Sequence, residues 1–172
     1  MTEEDRRVLS VWAADCAEHV LRRFDAVAPE ENRPRDAVEA ARAFARGERS
    51  IGPVRAFAAA AHAAARSVTD PVAVAAARAA GHAAATAHMA AHARGAAAYA
   101  TLALQLAGSD DARLDEEMRW QRDRADARVR EILARLPAPL QGGGRLGAAI
   151  RDLDSTLVDR STTPADPRGE SA

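Results

Sequence analysis

An all-α fold is what the sequence predicts: a single-domain, alanine-rich bundle of five to six helices built around one long central helix. Three observations lead there. Alanine is the strongest helix former because it loses no side-chain entropy on ordering, and it fills roughly a quarter of the 172 positions. Apolar residues recur at steps of three and four along most of the chain, while the alternation of a strand appears nowhere. Proline and glycine fall between the periodic stretches, where helices end. A chain of this length fits one domain and buries a core without disulfides.

The first helix opens at Thr2, with Glu3, Glu4 and Asp5 in the first turn, where the macrodipole favours acids. Val8, Trp12, Cys16, Val20, Phe24 and Val27 form its apolar stripe, and Pro29 ends it. The second helix opens at Pro34 and stops at Gly47, with Val38, Ala41, Phe44 and Ala45 facing inward. The third starts at Pro53 and buries Val54, Phe57, Ala61, Ala64 and Val68. Asp70-Pro71 is a cap-plus-first-turn signal for the fourth, whose pattern then runs without proline to Ala107. His82, Ala85, Met89, His92, Ala96, Tyr99, Ala103 and Leu106 keep the three-four alternation, so this stretch reads as one long helix. Gly81 or Gly95 is the expected place for any kink or split.

Gly108 terminates that helix, and Ser109 or Asp110 caps the fifth, with Leu114, Met118, Ala125, Val129, Ile132 and Leu136 inward. Pro137 and Pro139 close it. Gly142-Gly143-Gly144 reads as a flexible linker, and Leu146, Ile150, Leu153 and Leu157 mark a short amphipathic helix. The expected boundaries are a helical domain over 1–140, linker plus short helix over 141–160, and a polar, proline-containing, disordered tail over 161–172.

Charge narrows the function classes. Every basic residue is arginine, yet the formal net charge is −1, without the basic excess of a nucleic-acid-binding domain. Cys16 is the only cysteine, which fits a reducing compartment. The charged N-terminus is not followed by the apolar core of a signal peptide. The stretch 72–106 is long enough to raise a transmembrane question, but Arg78, His82, His88, His92 and Arg94 interrupt it and alanine is only weakly lipophilic. A soluble cytoplasmic protein, contacting neither nucleic acid nor membrane, is expected.

Histidines are the candidate chemistry. His62 lies on the third helix, and His82, His88 and His92 lie on the next. His88 and His92, four apart, share a helix face. Such a pair ligates a metal only if carboxylates or a thiolate join it, and Asp15, Cys16, Glu18 and Glu39 are the nearest offers in type. No His-Glu-x-x-His or Glu-x-x-His motif is present. No cofactor or resident metal is therefore expected, with His88 and His92 the pair that would carry one. The structural alternative is imidazoles hydrogen-bonded inside an alanine-lined interior. Asp15, Glu39, His62, Arg66, His82, His88 and His92 form the candidate polar cluster. Arg35, Arg42, Arg78 and Thr86 also lie near apolar faces, and the whole set fits either an internal network or a functional groove.

No nucleophile elbow is present, and Cys16 falls on an apolar stripe, where a thiol acts as a small hydrophobe. Asp115/Arg119, Arg119/Asp123, Asp126/Arg130 and Glu131/Arg135 are opposite charges four apart, ordinary support for an exposed helix face. Trp120 lies off the stripe of its helix, so it either packs on another helix or anchors a partner.

Trp-Ala-Ala-Asp-Cys-Ala-Glu at 12–18, Arg-Pro-Arg-Asp-Ala-Val-Glu-Ala-Ala-Arg at 33–42 and Ala-His-Ala-Ala-Ala-Arg at 61–66 occur in one order and spacing. Ala-Gly-His-Ala-Ala-Ala-Thr-Ala-His-Met-Ala-x-His-Ala at 80–93 and Trp-Gln at 120–121 complete the set. Together, over most of residues 8 to 136, they resemble the helical immunity-five-like family of bacterial polymorphic toxin systems. The glycine triplet and final helix lie outside the pattern. The resemblance implies a non-catalytic intracellular protein that binds a cognate toxin domain and blocks it.

Overall fold

The computed structural model describes residues 1–141 and 143–158. They form α1 (Glu3–Asp25), α2 (Arg33–Ala45), α3 (Ile51–Ser67), α4 (Pro71–Ala85), α5 (His92–Leu106), α6 (Asp111–Arg124), α7 (Ala127–Ala134) and α8 (Gly144–Leu157). No strand occurs among the described residues. The proposed tail over 161–172 lies outside them, as does Gly142 of the proposed linker.

The helix starts follow their local chemistry. Thr2 and Asp5 form a reciprocal capping box on α1, and Asp70, Asp110 and Asp126 each accept a bond from a backbone N–H in the first turn of α4, α6 and α7. Gly47 and Gly108, in the left-handed region, follow the ends of α2 and α5.

At the centre lies α4. Ala73, Ala76, Ala80 and Ala84 are buried, as are Ala75, Ala79 and Ala83 on other sides of the same helix. On the sides that meet α1, α2, α3 and α5 the helix is apolar and buried, while Val74, Arg78 and His82, four apart, leave one stripe partly exposed. Methyl groups let these backbones approach closely, so the bulky anchors sit on the partner helices: Leu9, Trp12, Val20 and Phe24 on α1, Phe44 on α2, Val54 on α3. Of the α1 stripe, Trp12, Cys16, Val20 and Phe24 are buried, whereas Val27 lies past the helix end and is exposed. On its other side α5 carries α8, which also touches α6 and α7.

Among the described residues there are eight helices rather than five to six, because of two breaks. The long central helix divides at residues 86–91, not at Gly81 or Gly95, which sit inside α4 and α5. The break carries neither proline nor glycine. Buried Thr86 turns its hydroxyl onto the His82 carbonyl at 3.1 Å, the bond that Thr101 also makes to Ala97 inside unbroken α5. Arg6 on α1 then donates to the Ala87 carbonyl at 2.8 Å, satisfying an acceptor inside the interruption. The fifth predicted helix divides at Ala125, which is extended and fully buried, and Asp126 caps the new start.

None of the four predicted charge pairs forms as a carboxylate–guanidinium contact among the described residues. Arg119 reaches the Asp115 backbone carbonyl, Arg130 that of Arg122, and Arg135 crosses to Asp5 on α1. Exposed helix pairs, worth only about 0.3–0.5 kcal/mol, give way to nearby carbonyls at Arg119 and Arg130 and to a distant buried carboxylate at Arg135. No helix is long and apolar enough to cross a membrane, among the described residues.

Candidate functional site

The histidines on three consecutive elements come together. His62 on α3, His82 on α4, His88 in the 86–91 turn and His92 opening α5 form a row of rings. Centroids lie 5.4 Å apart for His62–His82, 4.9 Å for His82–His92 and 5.4 Å for His88–His92. Tyr99 stands 5.0 Å from His82 on the far side. His88 and His92 do not share a helix face as expected, because the chain turns between them, but the turn still leaves their rings side by side. Glycine makes the space. A Cβ on Gly81 would lie 2.6 Å from His62 Cε1, and one on Gly95 would lie 2.4 Å from His82 Nδ1. The two glycines that look like helix breakers are clearances for imidazoles.

The His82 and His92 Nδ1 atoms are 3.0 Å apart, so one ring donates and the other accepts across this contact. Burial lowers the pKa of all four histidines, that of His82 to about 3. Basic neighbours add to it: Arg78 and Arg66 at His62, His92, His62 and Arg78 at His82, Arg55 at His88, and His88 and His62 at His92. Nothing in this set pulls a proton onto the rings, and near neutral pH they are uncharged. The Nδ1 atoms of His62 and His88 are buried without a hydrogen-bond partner among the described residues.

Asp15 and Glu39 of the candidate cluster are elsewhere, whereas Arg66 lies close enough to His62 for its charge to lower that ring's pKa. Asp15 and Glu18 engage Arg42 at 3.0 and 2.6 Å, Glu39 engages Arg46 at 2.7 Å, and Arg66 is exposed. Among the described residues no group of three or more His, Cys, Asp or Glu side chains is placed to hold a metal ion. Cys16 is fully buried, and burial, with Glu117 and Asp15 adding to it, pushes its thiol well above the ordinary range. That thiol is not a nucleophile at neutral pH.

An apolar pocket of about 590 Å³ opens beside the histidine row. His82, His92 and Met89 line one side, and Pro139, Leu140 and Ile150 from the segment around α8 line the other. On a separate face, Trp120 is half-buried, stacked on His19 at 4.1 Å with Arg124 over its ring at 5.1 Å. Trp120 thus packs on α1 while keeping one edge open.

Buried polar groups that the periodicity did not mark hold the neighbouring elements. Glu117 lies 2.6 Å from His19 Nδ1 and accepts from Gln121 Nε2 at 2.8 Å, and Trp12 Nε1 donates to the Gln121 carbonyl at 3.0 Å. Residues 117, 120, 121 and 124 repeat at three-four steps, a second stripe legible once polar residues are allowed to be internal. Asp5, 1% exposed, binds Arg128 at 2.9 Å and Arg135 at 2.6 Å. Arg94 binds Asp154 at 2.8 Å and donates to the Leu133 and Pro137 carbonyls. No short motif announces either group, since the partners are far apart in sequence.

No curated protein and no solved structure matches the chain. A family model described as Imm-5 like putative immunity protein matches residues 1–128, which run from α1 through α6 into the start of α7, and the chain belongs to that family.

Proposed function

We propose that this protein is a non-catalytic cytoplasmic immunity protein that binds a cognate toxin domain of its own bacterium and blocks it. The observation that carries the reading is family membership across residues 1–128, nearly the whole helical core. The site chemistry supports it: the one thiol is sealed in the core and the clustered imidazoles are uncharged hydrogen-bonding groups. Such groups suit recognition better than proton transfer at neutral pH, for which a base with a pKa near 7 is best placed.

The test is co-expression with the toxin-like C-terminal domains encoded by the same genome, scored by growth and then by calorimetry on the purified pair. Rescue by one of them, with a stoichiometric complex and no turnover of the toxin, is the expected result. Persistent killing by all of them, with no complex formed, refutes the reading. A second reading, a small-ligand protein, is favoured by the apolar pocket with His82 and His92 on its wall. It predicts a ligand that co-purifies and is lost in His82→Ala/His92→Ala.

A further inference from the structure

We infer that the face made by α3, the C-terminal half of α4 and the 86–91 turn is a docking surface for an acidic protein segment. Resting on the reading above, that segment belongs to the toxin.

Charge is segregated in this molecule. Residues 51–109 carry Arg55, Arg66, Arg78 and Arg94 against Asp70 alone, in a chain whose total charge is −1. The remainder is correspondingly acidic. Along α2 and at its C-terminal end the arginines are neutralised in place, partly by acids of α1: Arg35 by Asp25, Arg42 by Asp15 and Glu18, Arg46 by Glu39 and Glu48. On α3 and α4 they are not. Arg55, Arg66 and Arg78 make no hydrogen bond or ion pair among the described residues, while Arg94 is committed to Asp154 on the other side of α5. Arg55 and Arg66 are exposed and Arg78 is half-exposed.

The same three guanidinium groups border the histidine row, where their field is felt by His62, His82 and His88. Met89, 53% exposed, stands next to His88 in the turn and supplies an apolar anchor among the donors. A surface with unpaired guanidinium groups at its rim, imidazoles inside and an apolar centre complements carboxylates flanking an apolar residue. A nucleic-acid duplex fits less well, since its uniform charge would also meet the acidic remainder of the chain.

A carboxylate set against the row reverses the local electrostatics. The groups facing it are Arg55, His62 and Arg66 from α3, Arg78 and His82 from α4, His88 from the turn, and His92 and Tyr99 from α5. None of them is an acid at neutral pH. An incoming carboxylate therefore favours the imidazolium form, and docking takes up protons and tightens as pH falls.

The full chain is titrated at low salt with a short polyglutamate peptide while backbone amide shifts are followed. Shifts concentrated at 55–66 and 78–92 are expected. Affinity should rise between about pH 8 and pH 6 and should fall on the order of tenfold to a hundredfold in Arg55→Gln/Arg66→Gln/Arg78→Gln. Circular dichroism confirms that this variant, altered only at solvent-accessible positions, remains folded. Shifts centred on Trp120, an unchanged affinity in the triple variant, or tighter binding of a DNA duplex to this face each overturns the inference. With a toxin domain that the protein neutralises, the triple variant should lose affinity similarly while Trp120→Ala should not. Full protection by the triple variant would remove this surface and leave the immunity reading standing. Failure to neutralise any toxin would remove that reading and leave the peptide titration to decide the surface.

Discussion

Gly95 shows how a residue's meaning depends on what faces it. By helix propensity, Gly95→Ala stabilises α5 by about 1 kcal/mol. Its Cβ, however, would sit 2.4 Å from His82 Nδ1, where the ring is held by Gly95, His92 and Tyr99 together. Overpacking of this kind costs about 1–3 kcal/mol, so Gly95→Ala is expected to destabilise the protein by about 1 kcal/mol net. Urea denaturation checks it, and a more stable variant would show that the ring rotates away freely. Asp5 is a second case. The Thr2 backbone N–H and the Arg135 guanidinium hold its pKa at about 2, below the usual 3.8. A depressed carboxylate contributes stability above its unfolded pKa, lost as pH falls through the folded one. Asp5→Asn should therefore be less stable than wild type at pH 7, and the gap should close between about pH 4 and pH 2. A gap that stays constant with pH would assign the effect to packing instead.

At the level of elements, the breaks and the attachment of α8 depend on contacts distant in sequence. The segment 86–91 carries the periodicity of a helix and still turns, with its Ala87 carbonyl held by Arg6 from α1. The glycine-containing segment before α8 looked like a divider between domain and appendage. Yet α8 lies on α5 through Leu153 and Leu157 and through the Arg94–Asp154 pair, each side chain 6% exposed. Removing one partner of a buried pair strands the other charge. Asp154→Asn is expected to cost about 3 kcal/mol, against under about 1 kcal/mol for Glu116→Gln in the exposed Arg113–Glu116 pair. Comparable losses in chemical denaturation would mean that water reaches Asp154.

For the whole molecule, the histidine row links stability to pH in a definite direction. In the unfolded chain these rings take up protons near 6.5, whereas in the fold His82 resists until about 3 and the other three are lowered. The unfolded state then binds more protons over that interval, so stability rises with pH and is lost on acidification from about pH 7 to pH 4. The midpoint of urea unfolding should fall across this range, and His82→Gln should flatten the fall. An unchanged slope in the variant would show that His82 is already protonated in the native state. An acidic partner on the α3–α4 face opposes this loss by stabilising the imidazolium form, so the complex should tolerate mild acid better than the free protein.

By itself the sequence determined the helical class, the starts of α1, α2, α4 and α6, the sealed Cys16 and the family, since each rests on local propensity, capping chemistry, periodicity or motif order. Four histidines at 62, 82, 88 and 92 were legible as candidates in the sequence, but it is the 86–91 turn that brings His82 and His92, about 15 Å apart along a continuous helix, to 3.0 Å. Tertiary structure alone decided that Asp15 and Glu39 stand apart from them, that Trp120 lies on His19, and that Gly81 and Gly95 clear space instead of bending helices. It also decided that Asp5, Arg94, Glu117 and Asp154 are internal. The physical reason is common to all of these. Periodicity reports which side of a helix is apolar, but an alanine-rich helix is apolar on nearly every side, so it leaves open which neighbour each side meets and which charges are trapped between them.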